Sequence, residues 1–198
     1  MDVTIMNQPC KNNPFCSSMA PTIRELLCSH ATTTYQISRQ IQAINQGDKQ
    51  LEIIVDGVLI AFTILEDGTQ KGIELIKKGD ILGTHLLFDK LEYSPYHTMA
   101  LNEIKKCIFP VKYIEGLFHE NSLFAQALMQ NLSRHLAKNN IFWMSMHSKD
   151  GEEKVKYIYK LLQDSNVDMN KIIQEDLALI AGVSRTTVAR AMKTIYKK

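Results

Sequence analysis

The sequence lacks the marks of a membrane or secreted protein. No apolar run approaches the ~20 residues that a membrane helix needs, and the start, Met1-Asp2-Val3-Thr4, has neither the basic flank nor the apolar stretch of a secretory leader. We therefore expect a cytoplasmic protein that has no contact with a membrane. In that compartment the four cysteines are expected to be thiols, which leaves metal binding, reactivity and plain packing open.

The sequence also lacks the marks of an enzyme. No Ser/His/Asp order, phosphate-binding loop or paired-carboxylate motif stands out among its 198 residues. The six histidines show no metal-ligand spacing. His85 and His97 leave haem ligation conceivable, but a lone histidine is more often a surface or packing residue. The net charge of +2 is too small to indicate a partner, while a hydrophobic content of 45% suffices for one large and one small domain.

The first half of the chain has the pattern of a small antiparallel β-structure. From about Tyr35 to Pro110, short aliphatic runs alternate with turn-forming pairs, and the runs 51–55 and 58–62 supply the core. The pairs are Gly47-Asp48, Asp56-Gly57, Asp67-Gly68 and Gly79-Asp80. Since glycine and aspartate supply the backbone conformations of tight turns, this pattern predicts an antiparallel barrel or sandwich.

A long helix is predicted over 121–147, where no proline or glycine interrupts the chain. Its apolar residues include Phe124, Leu128, Leu132 and Leu136, spaced four apart, and then Ile141, Phe142, Trp143, Met144 and Met146. This is more apolar surface than one face against a small barrel requires, so a second copy of the helix is the natural partner. Gly151 is predicted as a hinge before a further helix over 152–163.

The segment 174–193 has the residue types of a helix-turn-helix. Gly182 suits the turn, Ser184 can cap the second helix, and Ala178 is small where the helices cross. The predicted buried seam is Leu177, Ala181, Val183, Val188 and Ala191. The outward residues of the second helix are Arg185, Thr186, Thr187, Ala189, Arg190 and Lys193, a set typical of a face that enters the major groove. An ordinary helical hairpin with solvated charges is the alternative.

This order of parts resembles the CRP/FNR family of bacterial transcription regulators over nearly the whole chain. The matching stretches are Asn45-Gln46-Gly47-Asp48-Lys49, Val55-Asp56-Gly57, Gly79-Asp80-Ile81-Leu82-Gly83, Ala181-Gly182-Val183-Ser184-Arg185 and Thr187-Val188-Ala189-Arg190. The last two stretches are the most specific. The resemblance implies an α+β fold in which a cyclic-nucleotide-binding-like antiparallel β-roll precedes a long dimerisation helix and a C-terminal helix-turn-helix.

The resemblance also implies a domain order and a set of roles. The expected parts are an N-terminal helical, cysteine-bearing segment (1–34), a β-roll sensor (35–120), a dimerisation helix (121–147) and a helix-turn-helix DNA-binding domain (148–198). The expected activity is that of a homodimer that reads a palindromic promoter site, with RNA polymerase as a further partner. Carried over by position, Arg185, Thr186 and Arg190 face bases, Ser184 and Thr187 lie nearer phosphates, and Lys193 belongs to the same DNA-binding face.

The chain departs from the family pattern in its effector region, at its end and in its cysteines. Thr84 follows Gly83 where cyclic-nucleotide binders have an acidic residue, and Tyr93-Ser94 stands where they have Arg-Ser. A cyclic phosphate would then find no guanidinium, so cyclic AMP is not the expected ligand. The expected effector pocket is Gly83, Thr84, His85, Tyr93 and Ser94. The chain also stops at Lys198, where the family continues into a two-stranded wing, so we expect a minimal DNA domain.

Four cysteines are candidates for a [4Fe-4S] cluster. The FNR branch of the family has a cysteine cluster that ends in Cys-x5-Cys, which Cys10 and Cys16 resemble, and Cys107 resembles its distant cysteine. Asn7 stands at the remaining position, for which Cys28 could substitute. Packing is the alternative for Cys28, whereas the segment of Cys10 and Cys16 has little apolar content to pack them. Two rival functions also stay open: a sensor that acts through protein contacts without DNA, and a small-molecule-binding module with no role in transcription.

Overall fold

The computed structural model describes residues 12–44, 49–87, 96–165 and 167–196. Within these residues the chain has an α+β architecture, in which eight strands form two four-stranded antiparallel sheets, ordered β1-β8-β3-β6 and β2-β7-β4-β5. The strands are β1 (Thr32–Gln36), β2 (Ile41–Ile44), β3 (Gln50–Asp56), β4 (Val58–Ile64), β5 (Gln70–Lys77), β6 (Ile81–Leu82), β7 (Tyr96–Ala100) and β8 (Ile104–Pro110). The two sheets face each other as a β-roll.

Helices precede and follow the β-roll. They are α1 (Pro14–Ser17), α2 (Pro21–Ser29), α3 (Val111–Glu120), α4 (Ser122–Ser148), α5 (Gly151–Gln163), α6 (Gln174–Ala181) and α7 (Arg185–Ile195). Short 3-10 turns cover Thr84–Leu86 and Met169–Lys171. The long helix α4 is capped by Asn121, whose side-chain oxygen accepts a 3.0 Å hydrogen bond from the Phe124 N–H.

The strands β3 and β4 confirm the two predicted core runs. Both are buried on their two faces, which explains why the sequence shows continuous apolar runs instead of alternation. Gly57 joins them with a φ of 95°. A Cβ at this position would lie 2.6 Å from the Glu103 carbonyl oxygen, so the turn requires glycine.

Three apolar clusters make up the core. The inner cluster fills the β-roll and includes Ile54, Leu59 and Ile76. The N-terminal cluster packs α1, α2, α3 and the start of α4 against one face of the β-roll. The C-terminal cluster packs α5, α6, α7 and the end of α4 against the outer face of β4, through Val58, Ile60 and Phe62. The helix-turn-helix is therefore packed onto the β-roll.

The observed element bounds differ from the predicted ones in a few places. The first strand begins at Thr32, before the predicted start at Tyr35, and a separate helix, α3, precedes the long one. The chain changes direction at Lys149 and Asp150, which have extended backbone, while Gly151 already belongs to α5. The turn pair Gly47-Asp48 lies outside the described residues.

Candidate nucleic-acid interface

Helices α6 and α7 form the predicted helix-turn-helix. Gly182 ends α6 in the left-handed conformation, with a φ of 62°, which glycine adopts without the steric cost of a side chain. The Ser184 hydroxyl then caps α7 by accepting a 3.2 Å hydrogen bond from the Thr187 N–H. The turn and the cap thus fall at the two predicted residues.

An apolar seam holds the two helices together. Four of its predicted members, Leu177, Ala181, Val188 and Ala191, are buried. Val183, the fifth, is half-buried. Ile180, which sequence reasoning missed, is also buried, and it belongs to the cluster shared with β4. The sequence of α6 does not indicate this contact, because the contact depends on how α6 packs against β4.

The outward face of α7 carries the residues predicted to contact DNA. Ser184, Arg185, Thr186, Arg190 and Lys193 are exposed. Thr187 is half-buried, and its hydroxyl oxygen lies 3.0 Å from that of Ser184. A Cβ at residue 151 would lie 2.9 Å from the Thr187 methyl group, so Gly151 permits the close approach of α5 and α7. Thr187 therefore contacts the capping hydroxyl of Ser184 and also lies at the border of the exposed face.

Arg185 has a competing partner that the sequence analysis missed. Its Nη1 lies 2.8 Å from the Glu175 Oε1 of α6, and both side chains are largely exposed. Exposed ion pairs of this kind contribute only about 0–1 kcal/mol. The guanidinium can therefore leave Glu175 for a phosphate or a base at small cost.

Arg39 fastens the helix-turn-helix to the β-roll. Its guanidinium donates to both carboxylate oxygens of Asp176 and, at 3.0 Å, to the Lys171 carbonyl oxygen. Asp176 lies in the first turn of α6, is 2% exposed, and also accepts a 3.0 Å hydrogen bond from the Ile173 N–H. Because this carboxylate is buried, Arg39 supplies the charge that makes its burial tolerable.

Gly72 of β5 brings the backbone of α6 directly against the β-roll. A Cβ at this position would lie 2.7 Å from the Leu179 carbonyl oxygen and 2.9 Å from the Ile180 Cα. Both are backbone atoms, which cannot move aside without displacing the helix. Gly72 and Arg39 together fix where the exposed face of α7 lies relative to the β-roll.

A partly buried polar cluster fastens α4 to the β-roll in the same way. His135 of α4 places Nε2 3.2 Å from the Glu74 Oε2 and Nδ1 3.8 Å from the Asp80 Oδ1. These two carboxylates, Asp80 first and then Glu74, raise the pKa of His135 to about 10. Lys138 Nζ lies 3.0 Å from the same Asp80 oxygen, and the Asn131 amide donates to the Gly79 carbonyl oxygen at 3.0 Å.

The expected effector region is tightly packed where the structure describes it. Gly83 has a φ of 84°, and a Cβ there would lie 2.6 Å from the Gln50 carbonyl oxygen. The cavity beside it is about 50 Å³. Glu52, which lines this cavity, forms a buried 2.7 Å ion pair with Lys106. Thr84 and His85 follow Gly83 and are half-buried, whereas Tyr93 and Ser94 lie outside the described residues.

Several solved structures share this arrangement of parts, and some of them are regulators by name. A regulator assigned to the CRP/FNR family, from Eubacterium rectale, superposes with a TM-score of 0.71 at 12% identity, over 92% of this chain and 86% of that one. The c-di-GMP responsive global regulator CLP of Xanthomonas campestris gives 0.69 at 13%, over 90% and 92%. FixK2 of Bradyrhizobium japonicum gives 0.66 at 16%, over 84% and 85%.

The chain has the CRP/FNR fold. At identities this low the likeness rests on the arrangement of the β-roll, the long helix and the helix-turn-helix, and not on the sequences. No protein-family model matches the sequence, and no curated protein sequence matches it significantly. Among the described residues, none of the helices is long and apolar enough to span a membrane.

Two of the four cysteines lie in the apolar core of this CRP/FNR fold. Cys16 is 3% exposed and Cys107 is 6% exposed, both within the N-terminal cluster. The expectation that the segment of Cys16 has too little apolar content to pack it is therefore wrong, because α1 places Phe15 and Cys16 against the β-roll. Asn13 makes this possible by capping α1 and donating 2.8 Å to the Ile54 carbonyl oxygen.

The [4Fe-4S] ligand set stays a prediction. Cys10 lies outside the described residues. Cys28 is half-buried against the same cluster as Cys16 and Cys107. In the described part of the chain, no group of three or more His, Cys, Asp or Glu side chains is arranged to hold a metal ion.

The two histidines considered for haem lie against aromatic rings. His97 stacks on Phe62, with 5.4 Å between the ring centroids. Phe62 belongs to the C-terminal cluster, outside the interior of the β-roll. His85 meets Tyr96 edge to face, with 6.4 Å between the centroids. These contacts agree with the packing interpretation given for both residues.

Proposed function

We propose that the chain is a DNA-binding transcription regulator. The observation that carries this proposal is the exposed face of α7, where Arg185, Thr186, Arg190 and Lys193 stand on a capped helix with no acidic residue in it. Arginine and threonine side chains on such a face match base edges and phosphates in the major groove. Promoter recognition would place the protein in the cytoplasm, with RNA polymerase as a partner.

The regulator acts as a homodimer that pairs through α4. Met129, Leu136 and Trp143 are seven residues apart and expose 53%, 64% and 41% of their surface, which is the spacing of a seam between paired helices. They lie about 100–140° around α4 from Phe124 and Phe142, which are buried against the rest of the chain. A two-fold axis along this seam would present two α7 helices to the two halves of a palindromic site.

The signal is not cyclic AMP under this proposal. The described part of the effector region offers a cavity of about 50 Å³ beside Gly83, and pockets for drug-sized ligands usually measure about 300–1,000 Å³. Lys106, the buried cation next to it, is already paired with Glu52. Isothermal titration that yields saturable micromolar binding of cyclic AMP would overturn this part of the proposal.

Selection of bound sequences from random DNA tests the main proposal. We expect a two-fold symmetric site whose half-sites are about one helical turn apart. Arg190→Ala should weaken binding to that site about tenfold to a hundredfold and relax the base preference. Lys78→Ala, an exposed lysine on the β-roll, is the control and should leave affinity unchanged. Failure to enrich any sequence, or equal loss in both variants, would remove α7 from DNA reading and favour a sensor that acts without DNA.

A further inference from the structure

A cavity of about 250 Å³ lies where the β-roll, the long helix α4 and helix α5 meet. Its walls come from β5, α4 and α5. The apolar wall consists of Leu75, Phe142 and Leu161, and the charged end holds Lys77, Asp80 and Lys138. Tyr157 adds an aromatic ring. An apolar body with one charged end is what such a lining would accept.

Lys77 is poorly compensated at the charged end. Its Nζ donates to the Leu161 carbonyl oxygen at a long 3.4 Å, and this oxygen already accepts a 2.5 Å hydrogen bond from the Ser165 hydroxyl. Among the described residues, no carboxylate forms an ion pair with Lys77. Asp80, the acidic group in the cavity wall, is already engaged by Lys138 at 3.0 Å and by His135.

The electrostatics agree with this geometry. Burial lowers the pKa of Lys77, and the nearby charge of Lys138 lowers it further, against the opposing effects of Asp80 and Asp164. The ammonium of Lys77 is thus destabilised where it stands. A negative charge brought into the cavity would stabilise it.

We propose that this cavity binds a small organic carboxylate with an apolar body, whose carboxylate pairs with the ammonium groups of Lys77 and Lys138. The apolar body packs on Leu75, Phe142 and Leu161. A single negative charge suits the site, since Asp80 already neutralises part of the positive charge and a dianion would be left with unpaired charge on an apolar wall. A neutral molecule of the same shape would leave Lys77 as it is.

The location gives this site a regulatory consequence. A ligand that contacts β5, α4 and α5 at once binds best when these elements are in the arrangement seen here, and it therefore favours that arrangement. The site itself does not depend on DNA binding. Its coupling to DNA affinity rests on the proposed function.

Calorimetric titration of the full-length protein without DNA tests the site. The probes are phenylacetate and hexanoate, each compared with its neutral amide, phenylacetamide and hexanamide. We expect saturable binding of at least one acid and binding of its amide that is about tenfold weaker or more, as a lost charge-assisted contact predicts. Equal binding of acid and amide, or no saturation by either acid at millimolar concentration, would overturn the proposal. This comparison uses only the wild-type chain, so its result does not depend on whether a variant folds.

Two variants locate the binding. Lys77→Met keeps the length of the side chain and removes its charge, and it should reduce acid affinity about tenfold while leaving amide affinity unchanged. Lys78→Met alters the exposed neighbouring lysine and should change neither. If Lys77→Met binds the acid as wild type does, the site lies elsewhere and the proposal fails.

The effect of the acid on DNA affinity is tested separately from its binding to the cavity. The acid that binds should change affinity for the selected DNA site in wild type and not in Lys77→Met. If the chain binds no DNA, the titrations still decide whether the cavity takes the acid. If the acid binds and DNA affinity does not change, the site stands and its regulatory coupling is wrong.

Discussion

Arg39 of the β-roll and Asp176 of α6 are 137 positions apart in the sequence and form a two-pronged ion pair. Asp176 is almost fully buried, while the Arg39 side chain is 37% exposed. The pair lies where α6 contacts the β-roll, with the guanidinium partly in solvent and the carboxylate buried. Its loss would leave that carboxylate without a counter-ion.

We expect Arg39→Ala to lower the free energy of unfolding by about 1–3 kcal/mol, because a buried charged acceptor loses its hydrogen bonds. The free energy of unfolding of Arg39→Lys should lie between that of Arg39→Ala and that of wild type. Lysine keeps the charge but cannot donate to both carboxylate oxygens in the same fork. Chemical denaturation with urea measures both. Wild-type stability in Arg39→Ala would mean that water replaces the guanidinium without cost.

His135 should stay protonated at neutral pH. Its folded-state pKa is raised to about 10 from an ordinary 6.5, so its contribution to stability is fully present below pH 6.5 and is lost as pH rises through 10. The loss amounts to at most about 1.4 kcal/mol per pH unit. Urea unfolding between these limits should show a decline in wild type that is absent from His135→Gln. An NMR titration of the His135 ring with a midpoint near its ordinary value would contradict this.

Glu175→Gln should strengthen DNA binding. The substitution frees Arg185 and removes a negative charge close to the DNA backbone, and because the pair is exposed the gain should be no more than about 1 kcal/mol, or roughly fivefold. Fluorescence anisotropy at low and high salt measures the effect, which should shrink as salt is added. The matched control, Glu120→Gln, alters an exposed glutamate of α3 instead. Weaker DNA binding by Glu175→Gln would contradict this prediction and would mean that Glu175 holds Arg185 in position for DNA.

Leu136→Glu should prevent dimerisation, because it places a charge on each side of a two-fold seam. Leu123→Glu is the control, since Leu123 is also an exposed leucine of α4 but points away from the seam. Analytical ultracentrifugation distinguishes monomer from dimer. A wild-type chain that sediments as a monomer at micromolar concentration, or equal dissociation of both variants, would show that the seam does not pair the chains.

Anaerobic purification tests the predicted cluster on Cys10, Cys16, Cys28 and Cys107. A [4Fe-4S] cluster requires stoichiometric iron, acid-labile sulfide and a visible absorbance that Cys16→Ser and Cys107→Ser remove. Loss of the cluster in oxygen should alter DNA affinity. Colourless protein without iron would leave Cys16 and Cys107 as core residues of the N-terminal cluster. Both serine variants would then act on stability alone.

Much of the fold could be predicted from local sequence patterns. Gly182 and Ser184 could be identified from sequence because a turn and a helix cap each depend on a few adjacent residues. The role of Arg39 could not, since its partner lies 137 positions away and isolated arginines are common at surfaces. Cys16 was misjudged for a similar reason: its short helix contributes little apolar surface, and β-roll residues distant in sequence bury it.

The contact at Gly72 also offers a way to change how the helix-turn-helix sits on the β-roll. A methyl group at this position would meet backbone atoms of α6 at 2.7 and 2.9 Å, so Gly72→Ala acts as a wedge that changes neither charge nor hydrogen-bonding groups. We expect this wedge to displace α6 from β5 while the seam between α6 and α7 stays intact. In Gly72→Ala the helix-turn-helix would keep its own packing and take a changed position on the β-roll, to which Arg39 still fastens it.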